Sequence, residues 1–451
     1  MIERITENDT VDVSALEQSD GARMLFSYWD GGRCHLNRTM AIAAEAMSAG
    51  VECGFITSEK FAADVGRIVA QENMYIIPNR PPHTPPPYEL PLYSHAYGHG
   101  QRLRGLGFAD EAWVAETTAK EIAAIQSFRP NVVVNDYRDT IRTSAEVVGV
   151  PIVGITHTTG NTDGLRFGWW TPLPTHTKVP DCTDSFNAVR AAYGLVPFTD
   201  ERYMFTGDVS IIPSSPSIDP LIQHTHPSHY VGKVARPRPD NGSFRPMHPS
   251  IAGHRVFSYV GEASRPQYGY QDMLSDVIEA MPDTGFYIDG DAGDYSQARI
   301  GNRLADGSVV INRVMPGPRV IEDSSVVLCH GGHGTIMQSL TQGVPLICVG
   351  PYQTDSTSNM KRLTELGAGL VINHSEGPFT EKPAPDLGEG VSIFGYWGTE
   401  ITGDQIKDAL ETILDDPSYA ENARMLGEEI VALGGVKSAV AVCRNVGKNS
   451  Q

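Results

Sequence analysis

"SVVLCHGGHGTIMQSLTQGVPLICVG", residues 325–350, decides the fold. Four apolar residues, Val326 to Cys329, run into a glycine-rich turn. A helix-forming stretch follows and stops at Gly343 and Pro345, where a second apolar run begins. Strand, turn, helix and strand in that order make a βαβ unit. Strands that are apolar throughout belong to a parallel sheet covered on both faces. The first N–H groups of a helix have no internal acceptors and lie at the positive end of its dipole. Glycines there let an anion such as a diphosphate approach the backbone. They suit a tight, ligand-free turn equally well, and the glycines alone do not separate the two readings.

The same rhythm extends both ways. Upstream lie apolar runs at 23–29, 53–57, 74–79, 131–136, 151–156 and 209–215, with helical stretches at 39–50 and near 110–128. "RPPHTPPPYELP" (80–91) is too proline-rich for regular structure. Between about 215 and 253 the chain turns to Pro, Gly and polar residues and reads as a connection. The rhythm then restarts at 255–260, 285–290, 308–314, 325–332, 345–350 and 368–373. A surface insertion is expected over 374–398, and three helices, at 403–415, 418–433 and 436–444, close the chain. The fold class is therefore α/β, with two doubly wound Rossmann-like domains facing a cleft.

A chain of 451 residues suits two or three domains. Its formal net charge of -19 disfavours a nucleic-acid polymer or an anionic membrane as partner. No apolar run reaches the ~20 residues of a membrane span. The polar N-terminal segment lacks a secretory apolar core. Six scattered cysteines without a CxxC pair suggest neither a zinc site nor a disulfide framework. The expected compartment is the cytoplasm.

"HGGHGT…GVPLICVGPYQTDSTSNMKRLTELGAG" (330–369) resembles the donor-site signature of family 1 glycosyltransferases of the GT-B fold, above all the bacterial enzymes that glycosylate natural products. The match is detailed over these forty residues and looser over most of the chain. It implies an N-terminal acceptor domain (1–235), a linker (236–253), a C-terminal nucleotide-sugar domain (254–430) and a helix returning to the first domain (431–451). By position, His330, Gly332, Gly334 and Thr335 would hold the donor diphosphate, and Asp355 the sugar hydroxyls. Ser356 stands where the family usually has Gln, which leaves the sugar open. The family's aromatic base platform is absent from "VMPG" (314–317), so Val314 and Met315, with Gly261 of "SYVGEAS", are the nucleotide-binding candidates. UDP and dTDP both remain open.

"DGGRCHLNRTMAIA" (30–43) places His35 on the family's catalytic position, with Cys34 in place of Gly and Arg38 in place of Pro. Imidazole, with an ordinary pKa near ~6.5, suits removal of an acceptor proton. "RPNVVVNDYRDT" (129–140) sets Asp136 at a strand's C-terminal end, where the family's Asp partners that base. Asp139 is the expected cap of the next helix. Arg38 and Arg138, near the proposed base, suggest an acceptor with a negative or polar group; surface solvation is the competing reading. Trp169 and Trp170 in a long loop either line the acceptor pocket or pack beneath it.

The resemblance implies an inverting transfer from a nucleotide-diphosphate sugar, a co-substrate rather than a cofactor, to a small molecule. No metal is required. Two alternatives keep the fold: a nucleotide-sugar 2-epimerase and a non-catalytic sugar-nucleotide-binding partner. An oxidoreductase is disfavoured because no GxGxxG follows the first strand. Asp289 and Asp291 of "DGD" read as a polar turn. "HTHPSH" (His224, His226, His229) and "HAYGHG" (95–100) read as solvated loops. The oligomeric state, monomer or homodimer, and the O-, N- or C-linkage stay open.

Overall fold

A computed structural model describes residues 21–81, 99–166, 169, 182–236, 244, 246–247, 253–260, 269–349, 354–372, 379–383, 392–396 and 401–448. Val, Ile and Phe crowd its strands, as residues that pack well on a pleated surface do. The first sheet contains β1 (Arg23–Tyr28), β2 (Glu52–Thr57), β3 (Met74–Ile76), β4 (Val132–Asp136), β5 (Ile152–Ile155), β6 (Val209–Ile212) and β7 (Ser228–Tyr230), in the all-parallel order β3-β2-β1-β4-β5-β6-β7. The second contains β8 (Arg255–Tyr259), β9 (Gly285–Asp289), β10 (Val309–Asn312), β11 (Val326–Cys329), β12 (Leu346–Val349) and β13 (Gly369–Ile372), in the parallel order β10-β9-β8-β11-β12-β13. Each order reverses beside its own first strand, between β1 and β4 and between β8 and β11. Ligand crevices of open α/β sheets lie at such reversals.

Three details depart from the sequence reading. β7 lies inside the stretch read as a connection and adds a seventh strand to the first sheet. The insertion after β13 contains an antiparallel pair, β14 (Phe379–Pro383) and β15 (Ser392–Tyr396). "HAYGHG" is no solvated loop at its described end: His99 opens a helix, His99–Gly105, and is buried against Phe205 and Tyr137.

The domains interlock at both ends. The C-terminal helix Val436–Lys448 places Ala439, Val440, Val442 and Cys443 in the first domain's core, against Met40, Ala43 and Val134. In return the loop after β6 places Ile218 in the second domain's core. That loop is pinned where Arg362 Nε donates to the Ser217 carbonyl (2.9 Å) and the Ser217 N–H donates to Glu429 (3.2 Å).

Candidate functional site

The first domain's reversal carries a buried carboxylate. Asp136 ends β4, in register with Tyr28 of β1, and its carbonyl accepts the Trp29 N–H at 2.8 Å. The chain then turns through Tyr137, whose φ of 63° is left-handed, a strained setting for an aromatic residue. From β1 the chain enters the helix Arg33–Ser48 through Gly31 and Gly32. Leu36, Met40, Ile42, Ala43 and Ala46 anchor its inner face. One turn of that helix brings His35 and Arg38, three residues apart, onto the side that meets Asp136.

Asp136 receives both. His35 Nδ1 lies 2.6 Å from Asp136 Oδ1. Arg38 donates from Nε to Oδ2 and from Nη2 to Oδ1, each at 2.8 Å. The carboxylate is fully buried, whereas the His35 side chain keeps 13% exposure, so its ring can be reached. Trp29 and Tyr137 meet that ring edge-on, with centroids 5.4 and 5.6 Å away. Burial works against the Asp136 charge, but Arg38 and His35 pull its pKa down to about 2. Burial likewise opposes an imidazolium at His35, yet Cys34 and Asp136 outweigh it and raise the pKa to about 9. Cys34 moves the other way: burial raises it, and His35 and Arg38 more than offset that, so its pKa is lowered.

The second domain's reversal carries the glycine turn. The helix runs His333–Leu340 with Gly332 as its N-cap. Gly331 has a φ of 78°, and a Cβ there would lie 2.8 Å from the Ser356 carbonyl. A Cβ on Gly332 would lie 2.5 Å from His330 Nε2, because that ring folds over the turn. Packing therefore accounts for two of the glycines. Around Gly334, by contrast, no described atom comes within 4 Å of an added Cβ, so the helix mouth faces open space. Burial lowers the pKa of His330 against the opposing pulls of Asp355 and the Tyr259 backbone, leaving a neutral ring that can still donate an N–H. Thr335 stands in the first turn, half-buried. Asp355 is half-buried in the first turn of the helix Thr354–Glu365, and its charge reaches both His330 and Tyr137.

A run of packed rings links the two reversals. His35 touches Tyr137, the Tyr137 and His157 rings stack at 6.0 Å, and His157 meets His333 at 4.0 Å across the domain boundary.

Four of the candidate side chains are placed elsewhere than expected. Arg38 is committed to Asp136 and does not present its guanidinium to an acceptor. Arg138 is 1% exposed; it pairs with Glu121 and donates to the Ile77 and Pro78 carbonyls, so it braces the sheet edge. Ser356 is fully buried beneath the Gly331 turn, which removes its hydroxyl from a sugar. Met315 points into the second domain's core, while Val314 stays exposed. Asp139 does not cap the helix Ile141–Val148, whose N-cap is Thr140; it pairs with Arg102 at 3.0 Å. Trp169 is half-buried, and Trp170 and Gly261 lie outside the described residues. Asp291 does form a polar turn, accepting from the Gly293 N–H and from Arg313. The sequence reading missed the Arg38–Asp136 pair, although the i, i+3 spacing of His35 and Arg38 signalled a common target.

Two parallel sheets of this kind, each with its own order reversal, are those of the GT-B fold. The glycotransferase of kitacinnamycin superposes with a TM-score of 0.66 at 18% identity, over 95% of this chain and 100% of that one. The glycosyltransferase VinC, solved with dTDP, superposes at 0.62 and 16% identity, over 95% and 100%. Residues 293–381 match the glycosyltransferase family 28 C-terminal domain. A PGL/p-HBAD biosynthesis glycosyltransferase of Mycobacterium tuberculosis is 24% identical over 379 residues, 78% of this chain and 80% of that protein. UDP-glycosyltransferase 2 of Phaeomoniella chlamydospora is 22% identical over 224 residues, 46% of this chain and only 42% of its own length. The chain thus has the GT-B fold, and its second domain is similar to the C-terminal domain of family 28 glycosyltransferases.

Proposed function

We propose that the protein transfers a sugar from a UDP- or dTDP-sugar to a small-molecule acceptor, releasing the nucleoside diphosphate, with inversion and without a metal in the chemical step, in natural-product biosynthesis. The observation that carries this reading is the hydrogen-bonded His35–Asp136 pair at the first sheet's reversal, joined by packed rings to the glycine-turn helix at the second sheet's reversal, whose mouth is open at Gly334. The diphosphate sits at the N–H groups of residues 332–335 beside His330, and Asp355 accepts hydrogen bonds from the sugar. His35 Nε2 takes the acceptor's proton as the nucleophile attacks the anomeric carbon. The bond to the diphosphate breaks, and the leaving charge falls on the helix terminus. Asp136 fixes the tautomer with Nδ1–H toward itself and stabilises the imidazolium. VinC's complex with dTDP and the kitacinnamycin glycotransferase support both the donor class and the natural-product setting.

The first test is a thermal-shift panel of UDP, dTDP, GDP and ADP: a shift with UDP or dTDP above the purine nucleotides is expected, and equal response to all four argues against the donor class. The second is His35→Ala, which should lose transfer by about 10²-fold or more while keeping nucleotide binding. A variant with full activity removes His35 as the base.

A further inference from the structure

The transfer reaction leaves unused a group of polar side chains at the domain boundary. His157 follows β5, Asp219 lies in the interlocking loop after β6, and His333 opens the glycine-turn helix of the other domain. All three are more than nine-tenths buried, at 5%, 1% and 6% exposure. Each can offer one ligand atom such that all three atoms lie within 4.8 Å of one another. Among the described residues, His157 Nδ1, Asp219 Oδ2 and His333 Nε2 have no hydrogen-bond partner. His333 Nε2 and Asp219 Oδ2 stand 3.6 Å apart, too far for a hydrogen bond. Burying three such atoms without partners is costly.

The surroundings hold the donors in place. Asp219 keeps its other oxygen on the Thr158 N–H at 3.0 Å, and its carbonyl accepts the Tyr230 hydroxyl at 2.7 Å. That leaves Oδ2 aimed at the two rings. Tyr137 backs the His157 ring from the catalytic side. Two imidazoles and a carboxylate around one point form a familiar donor set for a borderline divalent ion. Tetrahedral zinc with bonds of about 2.0–2.1 Å separates its donors by roughly 3.3 Å. The 3.6 Å gap between His333 and Asp219 is near that spacing, and the other separations, within 4.8 Å, close on the ion as it binds.

We infer that His157, Asp219 and His333 form a divalent transition-metal site of the zinc class that ties the two domains together behind the donor-binding turn. Its ion is a tether, and the transfer step does not pass through it. A fourth position is open to water. Because two ligands come from one domain and one from the other, occupancy favours the closed crevice and adds stability by mass action.

The test is zinc titration of the chelator-treated full chain by calorimetry, beside His157→Ala and Asp219→Asn. The asparagine keeps a carbonyl oxygen for Thr158 and guards against simple misfolding. The wild type should bind one equivalent more than either variant, or bind it at least tenfold more tightly, and zinc should raise its melting midpoint. Cobalt(II) should give the visible bands of a tetrahedral N/O site in the wild type alone. Equal zinc uptake by all three proteins with no cobalt band overturns the assignment and leaves the three atoms to a buried water. UDP and dTDP binding, measured on the same proteins, reads the transferase assignment separately.

Discussion

Asp136 answers to two cations at once, and that shapes what His35 can do. With its pKa raised to about 9, His35 is mostly imidazolium at pH 7, roughly 1% neutral by the definition of a pKa. In the proposed mechanism the neutral form is the base, so kcat/KM should climb with pH and level off near 9. Asp136→Asn removes one raising cause; the limb should move to lower pH while the plateau falls by about 10²-fold or more. An unmoved limb in a pH–rate profile would disconnect Asp136 from the base. Cys34→Ser removes the other raising neighbour and should shift the same limb downward. For stability the sign follows from the same shifts. The His35 contribution is full below about 6.5 and lost as pH rises through about 9; that of Asp136 is present above about 4 and lost as pH falls toward 2. Arg38→Met strands the buried carboxylate beside a single partner and should cost about 3–5 kcal/mol in denaturant melts. A loss below 1 kcal/mol would show that the pair contributes little. That His35 meets Asp136 was legible through the family resemblance, with Asp136 at a strand end where α/β sites lie. Arg38 was misread as an acceptor ligand because sequence shows which residues are near one another and not which carboxylate they meet.

At the scale of elements, the turn 330–335 joins two demands that sequence cannot separate. Gly331 and Gly332 are required by the Ser356 carbonyl and the His330 ring, and only Gly334 fronts open space. Gly332→Ala should therefore lower the melting temperature. Gly334→Ala, which meets nothing described and improves helix propensity, should leave melting unchanged or slightly higher. If the diphosphate sits at this mouth, Gly334→Ala should still weaken UDP or dTDP binding about tenfold in calorimetry. Unchanged affinity would move the phosphate elsewhere. The strands were legible because apolar runs of four to six residues between turns have few alternatives. β7, "SHY", was not: three half-buried residues between Pro227 and Gly232 carry no periodic signal, and their pairing with β6 is set by tertiary contact. Ser356 failed for a related reason. A register match fixed its place in the chain, but the helix Thr354–Glu365 turns that residue inward, and only packing settles which side of a helix faces the crevice.

Across the whole molecule, the closing helix connects the chain's end to its chemistry. Helix Val436–Lys448 packs on the helix Arg33–Ser48 and on β4, β5 and β6, so the same layer supports His35, Arg38 and Asp136. The return of a C-terminal helix is what the family resemblance implied. The partner it covers was not written in its own sequence, because "VKSAVAVCRNVGK" offers an apolar face that fits either sheet. Val440 is fully buried there. Val440→Ala removes two methyl groups from a close-packed layer and should cost about 2 kcal/mol by transfer and cavity terms together. The loss should appear in the unfolding of the first domain, followed by Trp29 and Trp113 fluorescence in urea. Transfer activity should fall with it through displacement of His35, whereas nucleotide affinity, which the proposed function assigns to the second domain, should hold. If the substitution instead weakened UDP or dTDP binding and left transfer intact, the helix would be serving the donor site, and the division of labour between the two sheets would have to be reversed.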